Sequence, residues 1–162
     1  MHWSPIGQLL VLLTVANGAP VIAERVLGKR WSQPLDGGRV WRDGRPVLGG
    51  SKTNRGVICA VVATMLVAPA IGVSWTVGLA VAAAAMAGDL FSSFVKRRLG
   101  LSASERATGL DQVPESLLPA LVCARELELQ WPDVVIVTAM FSVGEIALSQ
   151  LLYRLRIRTR PY

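Results

Sequence analysis

Long apolar runs alternate along this chain with short, strongly charged stretches. The runs cover about 6–27, 56–72, 75–98, 114–126 and 132–153, and the three longest are too continuous to be the one-sided stripes of a soluble helical bundle. The pattern therefore predicts an all-α, polytopic integral membrane protein, a single membrane domain over 1–162 with about five transmembrane helices. The first run contains a short apolar core, Leu9 to Ala16, that could pass for a secretory signal. It lacks the positive amino-terminal flank such a signal needs, so it reads as a membrane helix.

Polar residues inside these runs carry the next level of information. Asn17, Gly18, Pro20 and Glu24 fall in the second half of the first helix, where Pro20 frees a backbone carbonyl and Asn17 brings an amide into hydrocarbon. Such residues should face protein or water; a plain kinked helix with Asn17 bonded to a neighbouring backbone is the competing reading. In the third run, Gly78 and Ala82 stand at a small-x-x-x-small spacing that lets backbones approach closely in lipid, so this helix is expected at the centre. Between the first two helices, residues 28–55 form a loop with two D-G turns, Asp36-Gly37 and Asp43-Gly44. These turns predict a compact hairpin or other turn-rich structure folded back over the membrane surface, with Trp31, Pro34, Trp41 and Leu48 as anchors.

Composition agrees with the pattern: 52% of residues are hydrophobic and the mean hydropathy is +0.45. The net charge of +6 could suggest nucleic acid, but the basic residues flank apolar segments with no aromatic base-stacking pattern among them, so no nucleic-acid partner is expected. They act instead as topology signals. The loop 28–55 holds seven Lys and Arg residues, the stretch around Lys96, Arg97, Arg98 and Arg106 four more and the tail after Tyr153 another four, whereas the turn at Ser74 has none. The positive-inside rule puts all three basic segments in the cytoplasm, with the amino terminus outside and the carboxyl terminus inside the cell membrane. Cys59 and Cys123 lack C-x-x-C partners and read as small buried hydrophobes. The single histidine, His2, is terminal, so chemistry that needs an imidazole base is not expected.

One segment concentrates candidate chemistry: G-D-L-F-S-S-F-V-K-R-R-L-G, from Gly88 to Gly100. A carboxylate in hydrocarbon is costly, and steps of three, four and seven residues place Asp89, Ser92, Ser93 and Lys96 on one helix face, away from Phe91 and Val95. At about 1.5 Å per residue from Trp75, Asp89 lies roughly 21 Å into a core about 30 Å thick, and Lys96 roughly 10 Å further. The stripe thus reaches the level of a lipid phosphate. Together with Asp111 and the basic loop it suits magnesium-dependent transfer of a phosphorus group, in which carboxylates hold one or two Mg2+ ions and Lys or Arg screens the remaining charge. A lipid phosphate monoester is mostly dianionic at neutral pH and needs no general base. Structural readings stand beside these: Asp89 as the partner of Lys96 or Arg97, Asp111 as a helix cap, and Ser51, Lys52 and Thr53 as cap plus charge. A small transporter or ion-conducting bundle, with Asp89 and Glu145 lining its path, is the alternative function, and the small-residue helix faces are compatible with a homodimer.

Several motifs together resemble the CDP-archaeol synthase family: N-G-A-P from Asn17 to Pro20, D-G-R-P-V-L-G-G-S-K-T-N-R-G from Asp43 to Gly56, the Gly88–Gly100 segment, L-D-Q from Leu110 to Gln112, and the closing R-T-R-P-Y. That family is similar in turn to the phosphatidate cytidylyltransferases. The resemblance implies an enzyme that uses Mg2+ and CTP to turn a lipid phosphate, an unsaturated archaeal ether lipid phosphate or a related one, into a CDP-lipid with release of pyrophosphate. It implies Asp89 and Asp111 as metal ligands and Lys52, Lys96 and Arg97 as phosphate contacts. Asn17, Ser51, Thr53, Arg55, Ser92 and Ser93 would be supporting polar groups for CTP or the lipid phosphate. Asn54 stands where these families usually carry Trp, and the longer insert of the phosphatidate enzymes is missing between Gly100 and Leu110.

Overall fold

A computed structural model describes residues 3–102, 105 and 107–154. Arg106 and the tail arginines Arg156, Arg158 and Arg160, used above as topology signals, lie outside the described residues, as do His2 and the R-T-R-P-Y motif. Five helices follow one another: α1 (Trp3–Leu27), α2 (Asn54–Ala70), α3 (Trp75–Arg98), α4 (Gln112–Val122) and α5 (Trp131–Arg154). Among the described residues there is no strand, only two isolated β-bridges in the loop between α1 and α2. The protein is a multi-pass, all-helical membrane protein in which α1, α3 and α5 are long and apolar enough to cross a bilayer.

The other two helices are shorter. At 17 residues α2 reaches about 26 Å, and at 11 residues α4 reaches about 17 Å, little more than half the hydrocarbon core. The expected fourth helix, 114–126, is shifted: Gln112 and Val113 join its first turn ahead of Pro114, where the missing N–H costs nothing. It stops at Val122 because Cys123 to Glu128 fold into turns, with Glu128 at φ 52°. The second helix likewise begins two residues earlier than its apolar run, since Thr53 caps it by accepting from the Gly56 N–H at 3.1 Å.

Helix α3 holds the bundle together, packing on α1, α2 and α4. In its most apolar stretch 56% of residues are buried, against 33% for α1 and 28% for α5, as expected for the central helix. Close approach is made possible by glycine. A Cβ on Gly78 would stand 2.9 Å from the Thr64 carbonyl oxygen and 2.8 Å from the Ala68 Cβ of α2, and one on Gly88 would stand 2.3 Å from the Pro114 carbonyl oxygen and 2.7 Å from the Glu115 Cα of α4. The core between the helices is built from Ile6, Leu9, Leu12, Leu13 and Ala16 of α1, at steps of three and four, against Val77, Val81 and Ala85 of α3 and Val137 and Phe141 of α5. Outward-facing Ile58, Val62 and Leu66 of α2 remain exposed, which in a bilayer is the lipid face.

Candidate active site

The loop between α1 and α2 is a folded hairpin. Gly37, Gly38 and Gly44 take positive φ of 61°, 75° and 76° at the two predicted turns, and Val40 bridges Pro46 while Pro34 bridges Thr53. Asp36 organises the base: one carboxylate oxygen accepts from the Gly38 N–H at 2.9 Å and the other from Leu48 at 2.8 Å and Gly49 at 3.3 Å. Burial pushes its pKa up, but these backbone donors outweigh it and hold the carboxyl below its ordinary value. Of the expected anchors, Trp41 packs edge-on against Phe94 of α3 with ring centroids 5.5 Å apart, whereas Trp31 is 75% exposed.

Beneath this hairpin lies a cavity of about 440 Å3, lined by parts of all five helices and the loop. Its wall includes Asn17, Pro20 and Glu24 from α1, Ser51, Lys52, Thr53 and Arg55 around the start of α2, Asp89 from α3, Glu115 from α4 and Glu145 from α5. The Lys52 Nζ reaches both oxygens of Asp89 at 2.6 Å. The two side chains keep 23% and 26% of their surface exposed, so the pair is reachable from the cavity. Of the candidate residues, Asn17, Ser51, Lys52, Thr53, Arg55 and Asp89 share this wall. The Asn17 amide donates to the Leu13 carbonyl of its own helix at 3.1 Å, not to a neighbouring backbone. Arg55 is buried and donates to the Gly28 carbonyl at 2.9 Å and to the Arg30 carbonyl, fastening the loop's entry to its exit.

The remaining candidates form a second group at the end of α3, outside the cavity wall. Lys96 pairs with Asp111 at 2.7 Å, and the other Asp111 oxygen accepts from the Ala107 N–H at 3.0 Å. Asp111 precedes α4 without capping it by a side-chain bond. Arg97 is buried and donates to the Leu101 carbonyl. Ser92 donates to the Gly88 carbonyl at 2.9 Å, and both Ser92 and Ser93 are buried in the helix packing. Asp89 thus shares its helix face with these groups but not its partner: its lysine comes from the loop, while Lys96 takes Asp111.

Glu115 went unnoticed in the sequence. It is 6% exposed, its Oε1 has no hydrogen-bond partner, and its side chain is hydrogen-bonded to that of Glu145. The available signal was the one that marked Asp89, an acid in an apolar helix with no basic residue within a turn. Among the described residues no set of three or more His, Cys, Asp or Glu side chains is arranged to hold a metal ion. A magnesium ion asks for less, since it keeps several waters and takes ligands from substrate phosphates, so one or two protein carboxylates suffice. Asp89 and the orphan oxygen of Glu115 supply hard oxygen donors of that kind in the cavity wall.

A cavity among helices apolar enough to cross a bilayer, lined by carboxylates, a loop lysine and a helix amino terminus, fits a multi-pass membrane protein that takes a charged ligand. The family model for CarS-like CDP-archaeol synthases matches residues 9–162, and the chain belongs to that family of membrane cytidylyltransferases. It is 36% identical to a CDP-archaeol synthase of Pyrobaculum calidifontis, covering 97% of this chain and 98% of the relative. A second CDP-archaeol synthase, from Sulfolobus acidocaldarius, is 31% identical over 97% of this chain and 99% of its own length. A solved intramembrane enzyme for archaeal membrane lipid biosynthesis superposes with a TM-score of 0.69 at 31% identity, covering 87% of this chain and 90% of that one.

Proposed function

We propose that this protein transfers the cytidylyl group of CTP to an archaeal ether lipid phosphate in the cavity below the hairpin. The observation that carries the reading is the bidentate Lys52–Asp89 pair in the wall of that cavity. An ammonium held by a carboxylate is a preformed phosphate seat: the phosphates of CTP attract Lys52, and Asp89 is left free for a cation. The amino terminus of α2, with its N–H groups and partial positive charge, opens onto the same space beside Ser51 and Thr53. An oxygen of the dianionic lipid phosphate attacks the α-phosphorus of CTP. As that P–O bond forms, the bond to the oxygen bridging to the β-phosphorus breaks, and pyrophosphate leaves.

Magnesium would be held at Asp89, with Glu115 beside it in the same cavity wall, and would neutralise charge on the pyrophosphate; Asp111 would join it only on leaving Lys96 and the Ala107 N–H. Lys52 screens the nucleotide's phosphates, and Lys96 and Arg97 stand about two turns beyond Asp89 along α3, at the level of the lipid phosphate. Contacts between Arg98 and Asp43 place the loop 28–55 and the α3 end on one side of the bundle. With the positive-inside rule, that shared basic side faces the cytoplasm, where CTP is found. The test is incubation of purified protein with radiolabelled CTP, Mg2+ and either an unsaturated archaeal ether lipid phosphate or a diacyl phosphatidate. Label should pass to the ether lipid, and chelation of Mg2+ should stop it. No label in either lipid would sink the proposal, and label in the diacyl lipid alone would overturn the substrate assignment.

A further inference from the structure

Lys52 is carried by a loop, yet it meets Asp89 on the central helix at hydrogen-bond distance, so something must hold the loop in register. The loop's base is internally tied. The Lys52 carbonyl accepts from the Leu35 N–H at 2.7 Å and the Gln33 carbonyl from Asn54 at 3.1 Å, and Asp36 binds the Leu48 and Gly49 amides. The hairpin therefore moves as one piece with Lys52 at its end. Its tip lands on α3 a second time. Arg98 donates to Asp43 Oδ1 at 2.6 Å and to the Arg45 and Pro46 carbonyls, while its guanidinium carbon sits 5.8 Å from the Trp41 ring and 5.1 Å from Phe94. In return, Arg45 donates to the Arg98 carbonyl at 2.7 Å, satisfying a group at the open end of α3.

We infer that Arg98 is a positioning residue for the transfer: by clamping the hairpin tip to α3 it sets where Lys52 stands against Asp89. The inference rests on the proposed function for its catalytic consequence. Arg98 and Asp89 are nine residues apart on one helix, about 13 Å, so tip and base of the hairpin are fixed to a single rigid rod. Without the Arg98 side chain the tip keeps only the Arg45 bond to the residue-98 carbonyl and the Trp41–Phe94 ring contact, so the hairpin is loosened rather than freed, and displacement of a charge-bearing group by about 1 Å can cost on the order of 100-fold in rate. Only the planar fork of arginine serves one carboxylate, two carbonyls and two rings at once; lysine offers a point charge.

Two measurements on the full-length protein test this. In Arg98→Gln, amide exchange at Leu35 and Trp41 should quicken at least about tenfold while α1 and α5 amides stay unchanged. CDP-lipid formation should fall about 10- to 100-fold, chiefly in kcat, with Arg98→Lys recovering only part of it. In a Lys52→Ala background, adding Arg98→Gln should cost nothing further, because the clamp acts through Lys52. Unchanged exchange at Leu35 overturns the inference, and so does an equal fold-loss with and without Lys52. A wild type that makes no CDP-lipid would instead overturn the proposed function, while the exchange result would still decide whether the clamp holds Lys52.

Discussion

Two lysine–carboxylate pairs sit at the same end of this protein with almost the same length, 2.6 Å for Lys52–Asp89 and 2.7 Å for Lys96–Asp111, yet they differ in what they join. The first links a loop to the middle of a buried helix across a cavity, and the second links the end of that helix to the connector that follows it. Asp89 faces an open space lined by Asn17, Ser51, Thr53, Glu115 and Glu145. Asp111 is further bound by the Ala107 N–H, which turns its carboxylate towards its own segment. A salt bridge with this much exposure contributes little to stability by itself. The difference that matters is access: only the first pair can exchange its partner for a substrate phosphate without unfolding a turn.

The largest expected effect of breaking this comparison falls on Asp89. Asp89→Asn should lower CDP-lipid formation about 1,000-fold, the loss typical of removing a group aimed at transition-state charge, while the melting temperature stays close to wild type. Asp111→Asn should cost less, about 100-fold, because its carboxylate must first leave the Ala107 amide to serve a cation. Equal losses at both acids would make the pairs equivalent, and a neutral Asp111→Asn would reduce Lys96–Asp111 to a tie between α3 and α4. Gly88→Ala probes the packing that carries Asp89: the added methyl meets the Pro114 carbonyl at 2.3 Å. Unfolding in detergent should show a destabilisation of about 1–3 kcal/mol, more than the helix propensity that alanine brings.

The smallest effect is electrostatic and confined to the hairpin. Because the folded pKa of Asp36 is depressed below its ordinary value of 3.8, the stability it contributes is complete above that value and is lost as pH falls through the folded pKa. Protection of the Gly38 and Leu48 amides, taken relative to their intrinsic exchange rate at each pH, should therefore fall below about pH 4 in the wild type, and Asp36→Asn should remove that fall. An exchange profile in Asp36→Asn that matches wild type would show that these amides are held by something else.

Much of this arrangement is legible in the sequence because it rests on local rules. Continuous apolar runs gave the long helices, the D-G pairs gave the two hairpin turns, and Gly78 with Ala82 marked the helix that others approach closely. The Asp89 stripe was readable from helical periodicity alone. Partner choice was not readable, since Lys96 stands seven residues from Asp89 on its helix while Lys52 lies 37 residues away in sequence, and only the hairpin's fold brings the latter in. Glu115 was hidden in a segment too short and proline-rich to read confidently as a helix. Its burial depends on Gly88, whose missing side chain lets the α4 backbone close on α3.

The most direct test of the cavity as the nucleotide site is the melting of purified protein with and without CTP and Mg2+, in wild type and in Lys52→Ala. A ligand at a hundredfold excess over its Kd stabilises the folded state by about 2.7 kcal/mol. Wild type should show that shift and Lys52→Ala should lose most of it. An undiminished shift in Lys52→Ala would contradict the account and place the nucleotide elsewhere.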